Sequence, residues 1–145
     1  MKILNFIVGS LGGAVTLFIL GFLIYGLMLM DTEFMAMDPD MGWKQQPDLV
    51  ALFVGEWMVC MLIALVLGYW SDIKTFGGGL WAGALVGLFF GLAYTFSMYA
   101  FRTDTEIVNG LLDTVLTIIR FGLAGGVIAI IHGAMSSGSE PAMTD

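Results

Sequence analysis

The chain has 145 residues, 59% of them apolar and 12% charged, with a formal net charge of −7 and a mean hydropathy of +0.93. Soluble domains run at about 45–50% apolar and about 25% charged, so a water-soluble fold is excluded. The acidic balance excludes a nucleic-acid footprint, and a single cysteine excludes an internal disulfide.

The first apolar run extends from Ile3 to Met30 without a charge. As a helix it would be about 42 Å long, against a hydrocarbon thickness of about 30 Å, so it must tilt or protrude. It is about twice as long as the apolar core of a signal peptide and is followed by no small-x-small cleavage site, so it reads as a retained span. The second run, Leu49 to Trp70, carries one carboxylate, Glu56. The third, Phe76 to Phe101, is uncharged, and the fourth, Ile107 to Ile131, holds Asp113 and Arg120. The fold class expected is therefore all-α, a single bundle of four transmembrane helices over residues 1–135, with spans at 3–30, 49–70, 76–101 and 107–131.

Charges and turn residues gather between these runs, at Asp31–Pro47, Ser71–Thr75 and Arg102–Glu106. The two short links predict that helix 3 is an antiparallel neighbour of both helix 2 and helix 4. The stretch 136–145 is small and polar and predicts a mobile tail. Four spans put both chain ends on one side. Lys2 and Lys74 lie on that side against Lys44 and Arg102 on the other, a tie that the α-amino group tips toward cytoplasmic ends. Tyr69, Trp70 and Trp81 mark one membrane boundary and Tyr25, Trp43 and Tyr99 the other. Trp57, beside Glu56, falls outside these belts and reads as a packing residue.

In lipid no hydrophobic force draws helices together, so association depends on small residues that let backbones approach. Gly79, Gly83, Gly87 and Gly91 make a flat stripe along helix 3. Gly9 and Gly13 repeat the motif in helix 1, and Gly122 and Gly126 repeat it in helix 4. These grooves hold the four helices to one another, or the helix 3 stripe faces a second copy or another protein. A weak internal echo lays Gly13, Ala14, Gly21 and Tyr25 on Gly83, Ala84, Gly91 and Thr95.

Glu56 and Asp113 both lie about 10 Å into their helices from the loop side. Arg120 follows Asp113 by two turns, and helical side chains lean toward the N-terminus, so its stem points back toward the carboxylates. Asn109, Asp113, Thr117 and Arg120 form a polar stripe that should face the bundle interior. If both acids meet Arg120, one negative charge is left over, and burial beside a like charge favours protonation of one carboxyl. That would be a minimal site for protons or cations. The alternative pairs Arg120 with Asp113 along helix 4 and lets Glu56 reach the nearby interface.

Other chemistry is thin. His132 is the one histidine, too few for a metal or haem site by this chain alone, and Cys60 reads as small core filler. Asp38-Pro-Asp40-Met-Gly42 lacks the third acid and the closing Glu of a calcium loop. No catalytic set is evident, so no catalytic residue, metal or cofactor is expected and the chain is read as a non-enzyme.

Gly21-Phe-Leu-Ile-Tyr25-Gly-Leu resembles the G-x-x-W-Y-S-P signature of an uncharacterised family of small four-span bacterial membrane proteins, with Ile24 in place of Trp and Gly26-Leu27 in place of Ser-Pro. Met98-Tyr-Ala-Phe101, a short polar link and a helix ending Gly125-Gly-Val-Ile-Ala-Ile resemble that family's second half. The resemblance implies a bacterial four-helix architecture and supplies no catalytic residue.

Two functions follow as expectations. One is an accessory subunit of the bacterial cytoplasmic membrane, packed through glycine-lined helices against other membrane subunits or itself, with lipid as its surroundings. The alternative is a small carrier or channel for protons, cations or a small solute, built on Glu56, Asp113 and Arg120. The direction in which those three side chains point separates the two.

Overall fold

The computed structural model describes residues 3–29, 47–101 and 106–137. Helix α1 spans Ile3–Gly21 and continues as π-helical turns over Phe22–Met28; α2 spans Leu49–Leu65 and continues likewise over Val66–Trp70. Helix α3 spans Phe76–Phe101 and α4 spans Ile107–Ser137. All four are long and apolar enough to cross a membrane, and no strand occurs among the described residues. This follows from the solvent: with no water in the bilayer core, backbone groups must bond within their own segment. The chain is a multi-pass, all-α membrane protein.

Helix ends are fixed by local chemistry. Asp48 caps α2 by accepting from the backbone N–H groups of Val50 and Ala51, both at 3.1 Å. In the link to α3, Asp72 adopts φ 46° and accepts from Lys74 Nζ at 3.0 Å, and Thr75 Oγ1 accepts from Gly78 N–H at 3.3 Å. Helix α4 does not stop at Ile131. Nothing breaks it there, and Ser136 Oγ donates to the His132 carbonyl at 2.7 Å in its last turn. The acidic connector with Asp38–Gly42, Trp43 and Lys44, the basic residues Lys2 and Arg102, and the tail from 138 onward lie outside the described residues.

Helix α4 is the centre. It is buried over 56% of its most apolar stretch, against 28%, 17% and 22% for α1 to α3. Helices α1, α2 and α4 pack around a core that includes Leu17, Cys60, Ile63, Leu67 and Ile128. Helix α3 lies along α4 and touches α2 only marginally, so the expectation that a short link makes helices 2 and 3 packed neighbours is corrected. The one surface of α3 that permits close approach is its glycine stripe, and α4 occupies it.

That contact is backbone on backbone. A methyl group added at Gly79 would strike the Gly125 carbonyl, and one at Gly83 the Phe121 carbonyl. At Gly87 it would come within 2.9 Å of the Thr117 carbonyl, and at Gly91 within 2.9 Å of the Thr114 side chain. On α4, Gly122 sits against the Leu80 carbonyl and Gly126 against the Phe76 ring. The seam is closed toward the loop side by Thr95 Oγ1, which donates to the Gly110 carbonyl at 2.8 Å and lies 3.1 Å from Thr114 Oγ1. Helix α1 approaches α4 from another side, with Gly9 against His132 and Gly13 against Ile128 and Cys60. Helices 1 and 3, which share the sequence echo, thus both use glycines to approach α4.

This packing makes a clean contrast. Gly83→Ala places its new carbon against immovable backbone and should destabilise the protein by about 1–3 kcal/mol. Gly55→Ala and Gly77→Ala, with nothing within 4 Å of the added methyl, should leave stability equal or slightly raised. Thermal unfolding of the three variants in detergent, followed by tryptophan fluorescence, checks the ordering.

Candidate polar site within the helix bundle

Arg120 is buried, its side chain 10% exposed, and it gathers groups from helices 1 and 2. Its Nη2 donates to Glu56 Oε1 of α2 and, at 3.2 Å, to the Leu17 carbonyl of α1. Its guanidinium carbon lies 5.3 Å from the centre of the Tyr25 ring. Cation–π contact and an ion pair both suit arginine, whose planar head is weakly hydrated and tolerates burial better than an ammonium. An ionised side chain at the centre of a membrane helix costs about 2.5–3.5 kcal/mol, which pairing offsets. Nε of Arg120 is buried with no hydrogen-bond partner among the described residues.

The room for the guanidinium comes from Gly21. A Cβ there would lie 2.9 Å from Nη2 and 3.5 Å from Cζ. Directly after Gly21 helix 1 widens, with Leu29 N–H donating to the Ile24 carbonyl five residues back at 3.0 Å. Such π-helical turns recur at functional sites, and here the widened segment carries Tyr25. Its phenol is engaged within the bundle: Tyr25 Oη donates to Asp113 Oδ1 at 2.6 Å. The four side chains form a chain, Glu56 to Arg120 to the Tyr25 ring, and Tyr25 hydroxyl to Asp113.

The pairing differs from both expectations. Arg120 reaches Glu56 on another helix, and Glu56 does not turn to the interface. Asp113 has no ion-pair partner among the described residues. Asn109 is outside this group and donates to Glu106 at 3.3 Å near the start of α4. Thr117 is buried where α4 meets Gly87 and joins none of the bonds around Arg120. Trp57 is more than a packing residue, because its Nε1 donates to the buried Ser10 Oγ at 3.1 Å. Sequence reasoning missed Gly21, Tyr25 and Ser10 as parts of the polar interior. Two of them, Gly21 and Tyr25, are the positions that carried the family resemblance.

The family model described as "Protein of unknown function (DUF1761)" matches residues 8–130. The chain belongs to this family. The matched segment includes all four residues of the Arg120 site. No curated protein and no solved structure shows significant similarity to the chain.

Removing one member of a buried pair strands the other charge. Arg120→Met should therefore cost about 3–5 kcal/mol, and the double variant Glu56→Gln/Arg120→Met should recover most of that loss. A double-mutant cycle measured by denaturant unfolding in detergent reads the coupling; additive losses would mean that the pair does not form.

Proposed function

We propose that the protein carries protons across the membrane, with Asp113 as the carboxylate that takes and releases them. The observation that supports this is the unequal treatment of two acids in one polar site. Glu56 is neutralised by Arg120, whereas among the described residues Asp113 is held only by the Tyr25 hydroxyl. Two carboxylates and one guanidinium leave the site one negative charge, which a proton carried on Asp113 would neutralise.

In this reading the protein lies in a bacterial cytoplasmic membrane with both ends inside, and its work requires no bond-making chemistry. The accessory-subunit reading draws on the helix 3 glycine stripe, the absence of catalytic residues and the short loops. That stripe is buried against α4, so it offers no free groove to a partner. The Glu56–Arg120 pair and Asp113, by contrast, are joined through Tyr25, and this juxtaposition supports carriage.

The test is flux into liposomes holding the full chain, with a pH-sensitive dye inside and an imposed pH gradient. Wild-type vesicles should acidify or alkalinise faster than protein-free ones. Asp113→Asn should reduce that rate at least ten-fold and Tyr25→Phe by a few-fold. Wild-type vesicles as tight as empty ones would end the proposal, and transport that follows sodium in place of protons would replace the proton with a cation.

A further inference from the structure

The polar groups of helices 1, 2 and 4 do not stop at Arg120. Along α1 the buried face carries Asn5 and Ser10, and the same helix reaches Gly21 and Tyr25 at the site above. From Asn5 to Tyr25 is about 30 Å at 1.5 Å per residue, the thickness of the hydrocarbon core. Ser10 accepts from Trp57 Nε1 at 3.1 Å, and Cys60, one turn after Glu56, lies against Gly13. At the far end of this seam stands His132.

His132 is 3% exposed, and neither ring nitrogen has a hydrogen-bond partner among the described residues. Its ring fits because residue 9 is glycine: a Cβ there would come within 2.5 Å of Nε2. A buried polar group left unpaired in a native fold calls for a reason, and a phenylalanine or leucine would fill the same space without one. Imidazole is the one side chain whose ordinary charge change falls near neutral pH.

The backbone of Asn5 faces the imidazole from helix 1. Helix 1 presents Asn5 and Gly9 there, helix 2 presents Cys60 deeper in the seam, and the link before α3 lies against the adjacent Gly133 through the Lys74 carbonyl. The Lys74 ammonium is itself paired with Asp72 at 3.0 Å.

We infer that His132 is a second proton-binding site, where protons exchange between the polar seam and the side of the membrane that holds the chain ends. Its place in transport rests on the proposal for Asp113; its ability to bind a proton does not. The chain has a single histidine, so full-length protein labelled with 15N-histidine in lipid nanodiscs gives an unambiguous imidazole signal. Both ring nitrogens should shift reversibly as the sample is acidified, in wild type and in Asp113→Asn alike. In liposomes His132→Gln should lower proton flux at least ten-fold.

A ring that stays neutral throughout, or a His132→Gln variant with wild-type flux, overturns the inference while leaving Asp113 transport standing. Titration of His132 in a protein that moves no protons supports the binding site and overturns the transport proposal. Absence of both removes both.

Discussion

Burial of one guanidinium organises the polar half of this molecule. A charge in hydrocarbon persists only where protein replaces the water it has lost, and no single helix can do that for Arg120. It takes a carboxylate from α2, a backbone carbonyl from α1 and an aromatic face from the widened end of α1. Helices 1, 2 and 4 are thereby tied at one level, and the bare Gly21 leaves room for the head group where it lies. The π-helical turns belong to the same arrangement, since they begin beside the carbonyl that Arg120 engages and carry the phenol that lies under it.

The other half is held by the opposite means. Helix α3 has no charge and meets α4 through glycines so close that backbone touches backbone. Small residues supply van der Waals contact where apolar burial has no driving force, because lipid tails are as apolar as leucine. The result is a division of roles around α4: a tight, uncharged contact on one flank and a sparse polar seam on the other. Only α4 serves both, which explains why it is the most buried helix and also the one with both an acid and a base.

How much of this the residues announced differs sharply between fold and site. Spans are written in hydropathy over some 20 positions at a time, and single residues hardly affect that signal. Helix contacts are written less openly. The stripe at Gly79, Gly83, Gly87 and Gly91 was visible, but nothing local distinguishes a groove filled by the next helix from one left for a partner. The site was half legible. Glu56, Asp113 and Arg120 stood out as charges within apolar runs, yet spacing along α4 favoured an Arg120–Asp113 pair, and the structure pairs Arg120 with Glu56, 64 positions away in sequence. Two helical turns separate Asp113 from Arg120, about 10 Å of rise, which leaves a carboxylate on a packed neighbouring helix within easier reach. Tyr25 was illegible for a different reason. A tyrosine near the end of a span is ordinary at an interface, and only the widened turn together with an acid on another helix draws it inward.

In the proton-carrying role proposed for Asp113, the chemistry of the two hydrogen bonds sets the two acids apart. An arginine offers only donors, so Glu56 satisfies Arg120 as a carboxylate, and protonating it would strand a buried cation. A phenol both donates and accepts. Tyr25 can donate to Asp113 when it is ionised and accept from it when it is protonated, with the oxygens where they already stand at 2.6 Å. The bond survives either state by reversing direction. One acid of the site is therefore fixed by its partner and the other is held without being fixed, and a group that must gain and lose a proton without dismantling its surroundings needs a partner of the second kind.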